Sequence, residues 1–270
     1  MRTLVVLSDS HVNSTVGLAK PTIQLDDGDQ VSASTARRWL YWTFTDILTK
    51  VKEKARGDLY GILNGDVIEA DTKRRSWQVI SKSPADIQKM AVETFEPFFE
   101  MCKGIWVTRG TEAHTGKSAH FEETFAGNFD NTMRNEETGQ ASWWHLPLEI
   151  EGVKIDVAHH PRGGSGRPMN SQSGIDRVAS DTLFAYANDG ETPPHLVIRS
   201  HLHGYRDSRD AFRTRAIITP AMSLLTSYVY RIGINASMPV GAILIYVDKG
   251  RYFVEPILYP VRKTEWQTIP

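Results

Sequence analysis

The chain has 270 residues, 40% hydrophobic and 23% charged, enough to bury a substantial core and too apolar for a disordered chain. Lys and Arg number 31 against 32 Asp and Glu, a formal net charge of −1, which argues against a dedicated, sequence-independent DNA binder. The single cysteine, Cys102, excludes an intrachain disulfide and a cysteine-built zinc site.

Taken in chain order, short β-type apolar runs stop abruptly at polar clusters. Leu4 to Leu7 stops at Ser8-Asp9-Ser10-His11, too early for a signal-peptide core. A polar stretch from Asn13 to Ala33 follows, then a helical pattern from Ser34 to about Arg56 with Leu40, Phe44, Ile47, Leu48 and Val51 on its apolar face. Leu59 to Leu63 ends at Asn64-Gly65-Asp66. Ser83-Pro84 opens a second helix running to about Met101, with Pro84 at its first position. Ile105 to Val107 ends at Thr108-Arg109-Gly110, and Val153 to Ala158 at His159-His160-Pro161. A Gly/Pro/Ser-rich stretch, Pro161 to Gly174, precedes a third helix over Asp176 to Ala187. Leu196 to Ile198 ends at Arg199-Ser200-His201. The remainder is strand-rich: Arg215 to Thr219, Val240 to Val247 and Tyr252 to Leu258, with Lys249-Gly250 as a hairpin turn. The alternation predicts an α/β sandwich in a single domain over residues 1–270, with insertions near 12–33, 111–147 and 161–174. No apolar run approaches the roughly 20 residues of a bilayer span, so the expectation is a cytoplasmic protein with no membrane partner.

Ligands of open α/β sheets bind at the carboxyl ends of the strands. Five histidines (His11, His159, His160, His201 and His203) sit just after apolar runs, together with Asp9 and Asp66. Imidazole and carboxylate donors of this kind suit transition-metal ions. In an extended segment residues i and i+2 project to one side, so Asp9/His11 and His201/His203 could each offer two ligands to one centre. Of the adjacent pair, one reads as a ligand, His159 being favoured because it comes first after its strand, and the other, His160, as a neighbour that contacts phosphate or supports the ligand. Glu69 reads as a helix N-terminal acid. Arg162 and Arg167 flank a Gly-rich stretch that could cradle phosphate.

Asp9-Ser10-His11, Gly65-Asp66-Val67-Ile68-Glu69 and Ser200-His201-Leu202-His203, with a strand-end histidine between the last two, resemble the D-x-H, G-D-x-x-[DE] and G-H-x-H blocks of the calcineurin-like metallophosphoesterases. The resemblance implies a four-layer αββα sandwich of two mixed β-sheets holding two divalent metal ions, with Mn, Fe or Zn as candidates. Carried over, Asp9, His11 and His203 would hold the first ion, Asp66 would bridge, and His159 and His201 would hold the second. A metal-bound hydroxide would then attack a phosphate mono- or diester directly, as in a phosphatase or phosphodiesterase.

One block departs from the family pattern G-N-H-[DE]: here Arg109-Gly110-Thr111-Glu112-Ala113-His114, resembling phage-like branches of the family. Re-registering the turn makes His114 the general acid, puts Glu112 or Thr111 near the second ion, and leaves Arg109 to anchor Glu112 or contact phosphate. Two other functions stand beside phosphoester hydrolysis of small substrates: a DNA or RNA nuclease, and a vestigial interaction module without catalysis.

Overall fold

In the first strand Leu4 and Val6 face one core and Val5 and Leu7 another, and all four are buried. A strand apolar on both faces must be covered on both, and this one sits inside a sandwich. The computed structural model describes residues 1–70, 77–161, 171–231 and 238–261. The elements are β1 (Arg2–Leu7), β2 (Thr22–Gln24), β3 (Gln30–Ser32), α1 (Thr35–Lys54), β4 (Asp58–Asn64), α2 (Pro84–Met101) and β5 (Gly104–Thr108). Then come α3 (Glu112–Thr115), α4 (His120–Gly127), β6 (Ser142–Trp143), β7 (Leu146–Ile150), β8 (Val153–Val157), α5 (Ser171–Asn188) and β9 (Leu196–Arg199). The chain closes with β10 (Arg206–Asp207), β11 (Arg215–Ile218), α6 (Ser227–Arg231), β12 (Val240–Asp248) and β13 (Arg251–Tyr259).

One mixed sheet has the order β13-β12-β1-β4-β5-β6 and the other β10-β11-β9-β8-β7. Three cores define four layers. Val5, Leu7, Leu63 and Val107 pack under the helices against Phe44, Phe95 and Phe125. Leu4, Val6, Ile62 and Ile245 meet Ile155, Val157, Ile198 and Ile217 between the sheets. Val197, Ala216 and Ile218 lie under Ile175, Val178 and Ala179 of α5. The predicted αββα sandwich is present.

Local signals place the helices and the last turn. Ser34 caps α1 by accepting the Arg37 N–H, and Ser83 caps α2 ahead of Pro84. Lys249 and Gly250, both at positive φ, join β12 to β13, the left-handed pair that a two-residue hairpin turn requires.

The three predicted insertions hold more regular structure than their composition suggests. The first contains the β2–β3 hairpin. The second contains α4, whose Phe121, Phe125 and Ala126 are buried against α2. In the third, whose residues 162–170 lie outside the described residues, α5 begins at Ser171 rather than near Asp176.

β1, β4 and β5 run parallel, as do β8, β9 and β11. The polar clusters therefore leave the two sheets from carboxyl ends and can meet across the sandwich. No helix among the described residues is long and apolar enough to cross a membrane.

Candidate metal centre

A floor of hydroxyls and an amide joins the sheets beneath the strand ends. Asn64 accepts from Thr108 Oγ1 at 2.6 Å and donates to Ser200 Oγ at 2.5 Å. Ser200 bonds Thr219 at 2.7 Å, and Thr219 bonds Ser8 at 2.7 Å. All five residues are buried, so this network links β1, β4, β5, β9 and β11 in a setting where satisfied polar groups fix geometry. Ser200 contributes the hydroxyl that couples Asn64 to Thr219.

Above the floor the backbone turns sharply. Asp9, His11, Asp66, His201 and His203 all have positive φ, between 44° and 70°. The extended i, i+2 geometry inferred from sequence is therefore replaced by left-handed corners, which turn successive side chains inward. Each such corner costs a non-glycine residue about 1 kcal/mol or more. Cross-bracing holds them: Asp9 N–H donates to Gly65 O, His11 N–H to Asp66 O and Val12 N–H to Val67 O, at 2.8–3.0 Å.

The side chains converge in two linked groups. In the first, His11 Nε2 lies 3.3 Å from His203 Nε2, which is 3.4 Å from Asp9 Oδ1. In the second, His159 Nε2 is 3.0 Å and His201 Nδ1 3.8 Å from Asp66 Oδ2. Asp9 Oδ1, 3.8 Å from His159 Nε2, connects them. His159 donates Nδ1–H to Asn64 O at 2.7 Å, which fixes its tautomer and turns Nε2 to the centre.

Two observations fit these residues to divalent cations. Asp9 Oδ1 is fully buried, accepts no hydrogen bond among the described residues, and faces the cluster. The donor atoms of Asp9, His11 and His203, of Asp9, Asp66 and His159, and of His159, His160 and His201 lie within 4.8 Å of one another in each set. Imidazole with carboxylate is the donor chemistry of Zn, Fe and Mn.

Protons balance the charge when no cation does. Burial would raise the Asp9 carboxyl, but His203 and His159 outweigh it and leave it at about 2. Burial would lower His159, yet the Asp66 and Asp9 carboxylates bring it up to about 10. A cation entering here displaces that proton.

Thr111 is the first residue after the β5 turn to reach the centre. Its N–H donates to Asp66 Oδ1 at 2.6 Å, and its hydroxyl lies 3.1 Å from Asp66 Oδ2 and 3.3 Å from His201 Nδ1. The turn leaves no room for a side chain at Gly110, where a Cβ would sit 2.2 Å from Asp66 N. Glu112 opens α3 on the exposed side and belongs to none of the converging sets. Of the two candidates in this block, the geometry brings Thr111 to the centre and turns Glu112 outward.

His114 is buried and its Nδ1 lies 2.6 Å from Glu69 Oε2, which is also 3.4 Å from His11 Nδ1. Glu69 does not open a helix: after the left-handed corner at Gly65 and Asp66, Ile68 bridges Val12 and Glu69 N–H donates to Val12 O. Burial would raise its carboxyl, but His11 and His114 hold it at about 2. Arg109 departs from expectation. Its Nε bonds Ser142, one terminal nitrogen Ser118 O and the other Glu123, and its guanidinium stacks 4.8 Å from the Trp144 ring. With all three nitrogens committed, it fastens β6 and α4 to the β5 turn and contacts neither Glu112 nor the centre.

His160 lies at the mouth, its Nε2 3.1 Å from Thr111 Oγ1. Desolvation there and the neighbouring His159 push it down to about 4. Arg162 and Arg167 lie outside the described residues.

Sequence reasoning overlooked Glu122. Fully buried on α4, it accepts Val67 N–H at 3.0 Å and Gly110 N–H at 2.6 Å, clamping the two turns that carry Asp66 and Thr111. Burial and Asp66 push its carboxyl up to about 7. The one available signal was an acidic residue among the apolar positions of the Phe121–Phe125 turn.

No family model matches the chain. No curated protein matches it either. Among solved structures it is similar to a single-mutant Vps29 from Entamoeba histolytica, with 11% identity over 95% of this chain and 99% of that one at a TM-score of 0.41. Vacuolar protein sorting 29 from Cryptosporidium parvum gives 11% identity over 96% and 98% at 0.42. A metallophosphoesterase from Sphaerobacter thermophilus gives 10% over 95% and 89% at 0.38. At such values a similar outline says nothing of shared chemistry.

Proposed function

We propose that the chain is a metal-dependent phosphoesterase of the calcineurin-like kind, hydrolysing a phosphate mono- or diester by direct attack of water. The observation that carries this reading is the convergence of Asp9, His11, His203, Asp66, His159 and His201 near a buried carboxylate oxygen that accepts no hydrogen bond among the described residues. Asp9, His11, His203 and Asp66 would hold one divalent cation, and Asp66, His159 and His201 a second. When bound, such a pair supplies Lewis acidity for the phosphoryl oxygens and acidifies a water to near neutrality.

The protein's own residues do the rest. The Thr111 amide and hydroxyl fix Asp66 between the two positions. Glu69 fixes His114 through Nδ1 and contacts His11, which supports the reading of His114 as the donor of a proton to the leaving oxygen. A cytoplasmic setting agrees with the single buried thiol of Cys102.

The nuclease alternative gains little from the arginines near β10 and β11. Arg215 is paired to Asp207 at 2.6 and 2.9 Å, and Arg206 donates to Tyr205 O. A vestigial module would have no use for six converging donors, five of them held at positive φ.

Hydrolysis of bis(p-nitrophenyl) phosphate or p-nitrophenyl phosphate by protein reconstituted with Mn²⁺, Zn²⁺ or Fe²⁺ tests the reading. Turnover should disappear on chelation and return with metal. Two bound equivalents with no hydrolysis of either ester would overturn it. His114→Ala should slow esters of poor, alkoxide-type leaving groups by about 10²–10⁴-fold, the range of general acid catalysis. It should scarcely affect p-nitrophenyl esters, whose leaving group departs unprotonated. Equal losses on both classes would remove His114 from the role.

A further inference from the structure

The adjacent histidines after β8 do not behave as strand neighbours. Consecutive residues of an extended strand point to opposite faces, but β8 ends at Val157 and the chain bends at His159 and His160. The bend brings both rings to one place. Their centroids are 4.9 Å apart, and the His160 ring is 4.7 Å from that of His201. One nitrogen from each of His159, His160 and His201 falls within a 4.8 Å set.

The spacing of the atoms around them decides what the third ring is for. His160 Nε2 is 3.1 Å from Thr111 Oγ1, which is 3.1 Å from Asp66 Oδ2 and 3.3 Å from His201 Nδ1. His159 Nε2 is 3.0 Å from Asp66 Oδ2. Donors bound at about 2.0–2.2 Å to one ion stand about 3.0–3.5 Å apart at neighbouring positions. His159 and Asp66 already stand so. The His160 nitrogen lies within 4.8 Å of those of His159 and His201, close enough for a small shift to bring all three onto one ion. A residue that only contacts substrate needs no such placement among protein donors.

We propose that His160 is a third imidazole ligand of the second cation, and that this nitrogen-rich position prefers Zn²⁺ or Fe²⁺ to Mn²⁺ or Mg²⁺. This rests on the reading above, and it deepens that reading by assigning the second position its own ligand set. The family pattern places a carboxamide oxygen there. This chain has Thr111 in that register, with an imidazole arriving from the opposite sheet. Replacing an oxygen donor by imidazole moves preference towards Zn and Fe, whereas carboxylate and carbonyl oxygen suit Mn and Mg. The first position, with Asp9 and Asp66 against His11 and His203, keeps the larger carboxylate share. The two positions thus differ in the metal they select.

The test is calorimetric titration of chelator-stripped protein with Zn²⁺ and, separately, Mn²⁺, alongside the visible absorption of the Co²⁺-loaded form. Wild type should bind two equivalents of Zn²⁺. In His160→Ala one of them should weaken by more than about 100-fold, beyond the roughly 10–100-fold that losing an outer partner of a ligand produces. The Co²⁺ spectrum should change as well. His160→Asn, which restores an oxygen donor, should keep two equivalents and move the weaker position's preference towards Mn²⁺. His160 is exposed, and the denaturation midpoint of each metal-free variant checks that folding is intact; if Ala perturbs it, the Asn variant decides. Wild type binding fewer than two ions defeats the phosphoesterase reading itself. Two ions in wild type, with a change below 100-fold or an unaltered Co²⁺ spectrum in the variants, overturns only the assignment of His160.

Discussion

Asp66→Asn is expected to lower turnover of an aryl phosphodiester by at least about 10³-fold in saturating metal, while the protein stays folded. In the reading proposed above Asp66 would bridge the two cations, beside Asp9, whose Oδ1 links the two groups of donors. Asp66 Oδ2 faces His159 at 3.0 Å, Thr111 at 3.1 Å and His201 at 3.8 Å, and its Oδ1 accepts the Thr111 N–H. Asparagine preserves the shape and removes the charge that would hold the two proposed cations close together, so metal stoichiometry should fall together with rate. The metal-free protein gives a second readout. His159 is raised from 6.5 to about 10 by its carboxylate neighbours. A group whose folded pKa is raised contributes stability in full below its unfolded pKa and loses it as pH climbs through the folded value. Wild-type apoprotein should therefore lose stability between about pH 6.5 and pH 10, and Asp66→Asn should flatten that slope. Undiminished turnover in the pure variant removes Asp66 from the chemistry.

The largest effect on folding is expected at Glu122. Its two oxygens satisfy the N–H groups of Val67 and Gly110 at 3.0 and 2.6 Å, with no exposure to solvent. Glu122→Ala orphans both donors, each costing about 1–3 kcal/mol, and leaves a void beneath the turns. A loss of about 3–5 kcal/mol in urea-induced unfolding is expected. Glu122→Gln keeps one acceptor but turns an amide N–H₂ towards the other donor, and should cost roughly half as much. The turns it clamps present Asp66 and Thr111, so metal affinity should also fall by about 10–100-fold, the usual consequence of losing an outer-shell support. A loss below about 1 kcal/mol in the alanine variant shows the clamp to be dispensable.

The sequence announces the strand ends and their metal-type donors because buried strands read as continuous apolar runs and the following residues break them abruptly. Asp9, His11, Asp66, His159, His201 and His203 were legible for that reason, and their chain order pointed to the sandwich. Backbone direction was not. A run such as Asp9-Ser10-His11 reads equally well as extended or as left-handed corners, and only the cross-bracing from Gly65, Asp66 and Val67 decides. The same ambiguity hid the joint placement of His159 and His160, which depends on a bend rather than on strand alternation. Thr111 outranks Glu112 at the centre because helix α3 begins one residue later and carries the glutamate outward. Glu69 was taken for a helix-start acid because spacing cannot reveal that its segment pairs with Val12. Arg109 looked catalytic because a strand-end arginine usually faces solvent or substrate; its partners Ser142 and Glu123 lie 33 and 14 residues away. Long-range partnerships of that kind leave no local trace.

The left-handed conformation of Asp9, His11, Asp66, His201 and His203 also bears on how this scaffold responds to selection. Glycine relieves the backbone cost of such a corner, but at Asp66 it would also remove the carboxylate that pairs with His159 and accepts the Thr111 N–H, so strain relief and the integrity of the site pull against each other. Thermostabilising this protein while keeping its chemistry requires that these five codons be held fixed and improvement sought elsewhere.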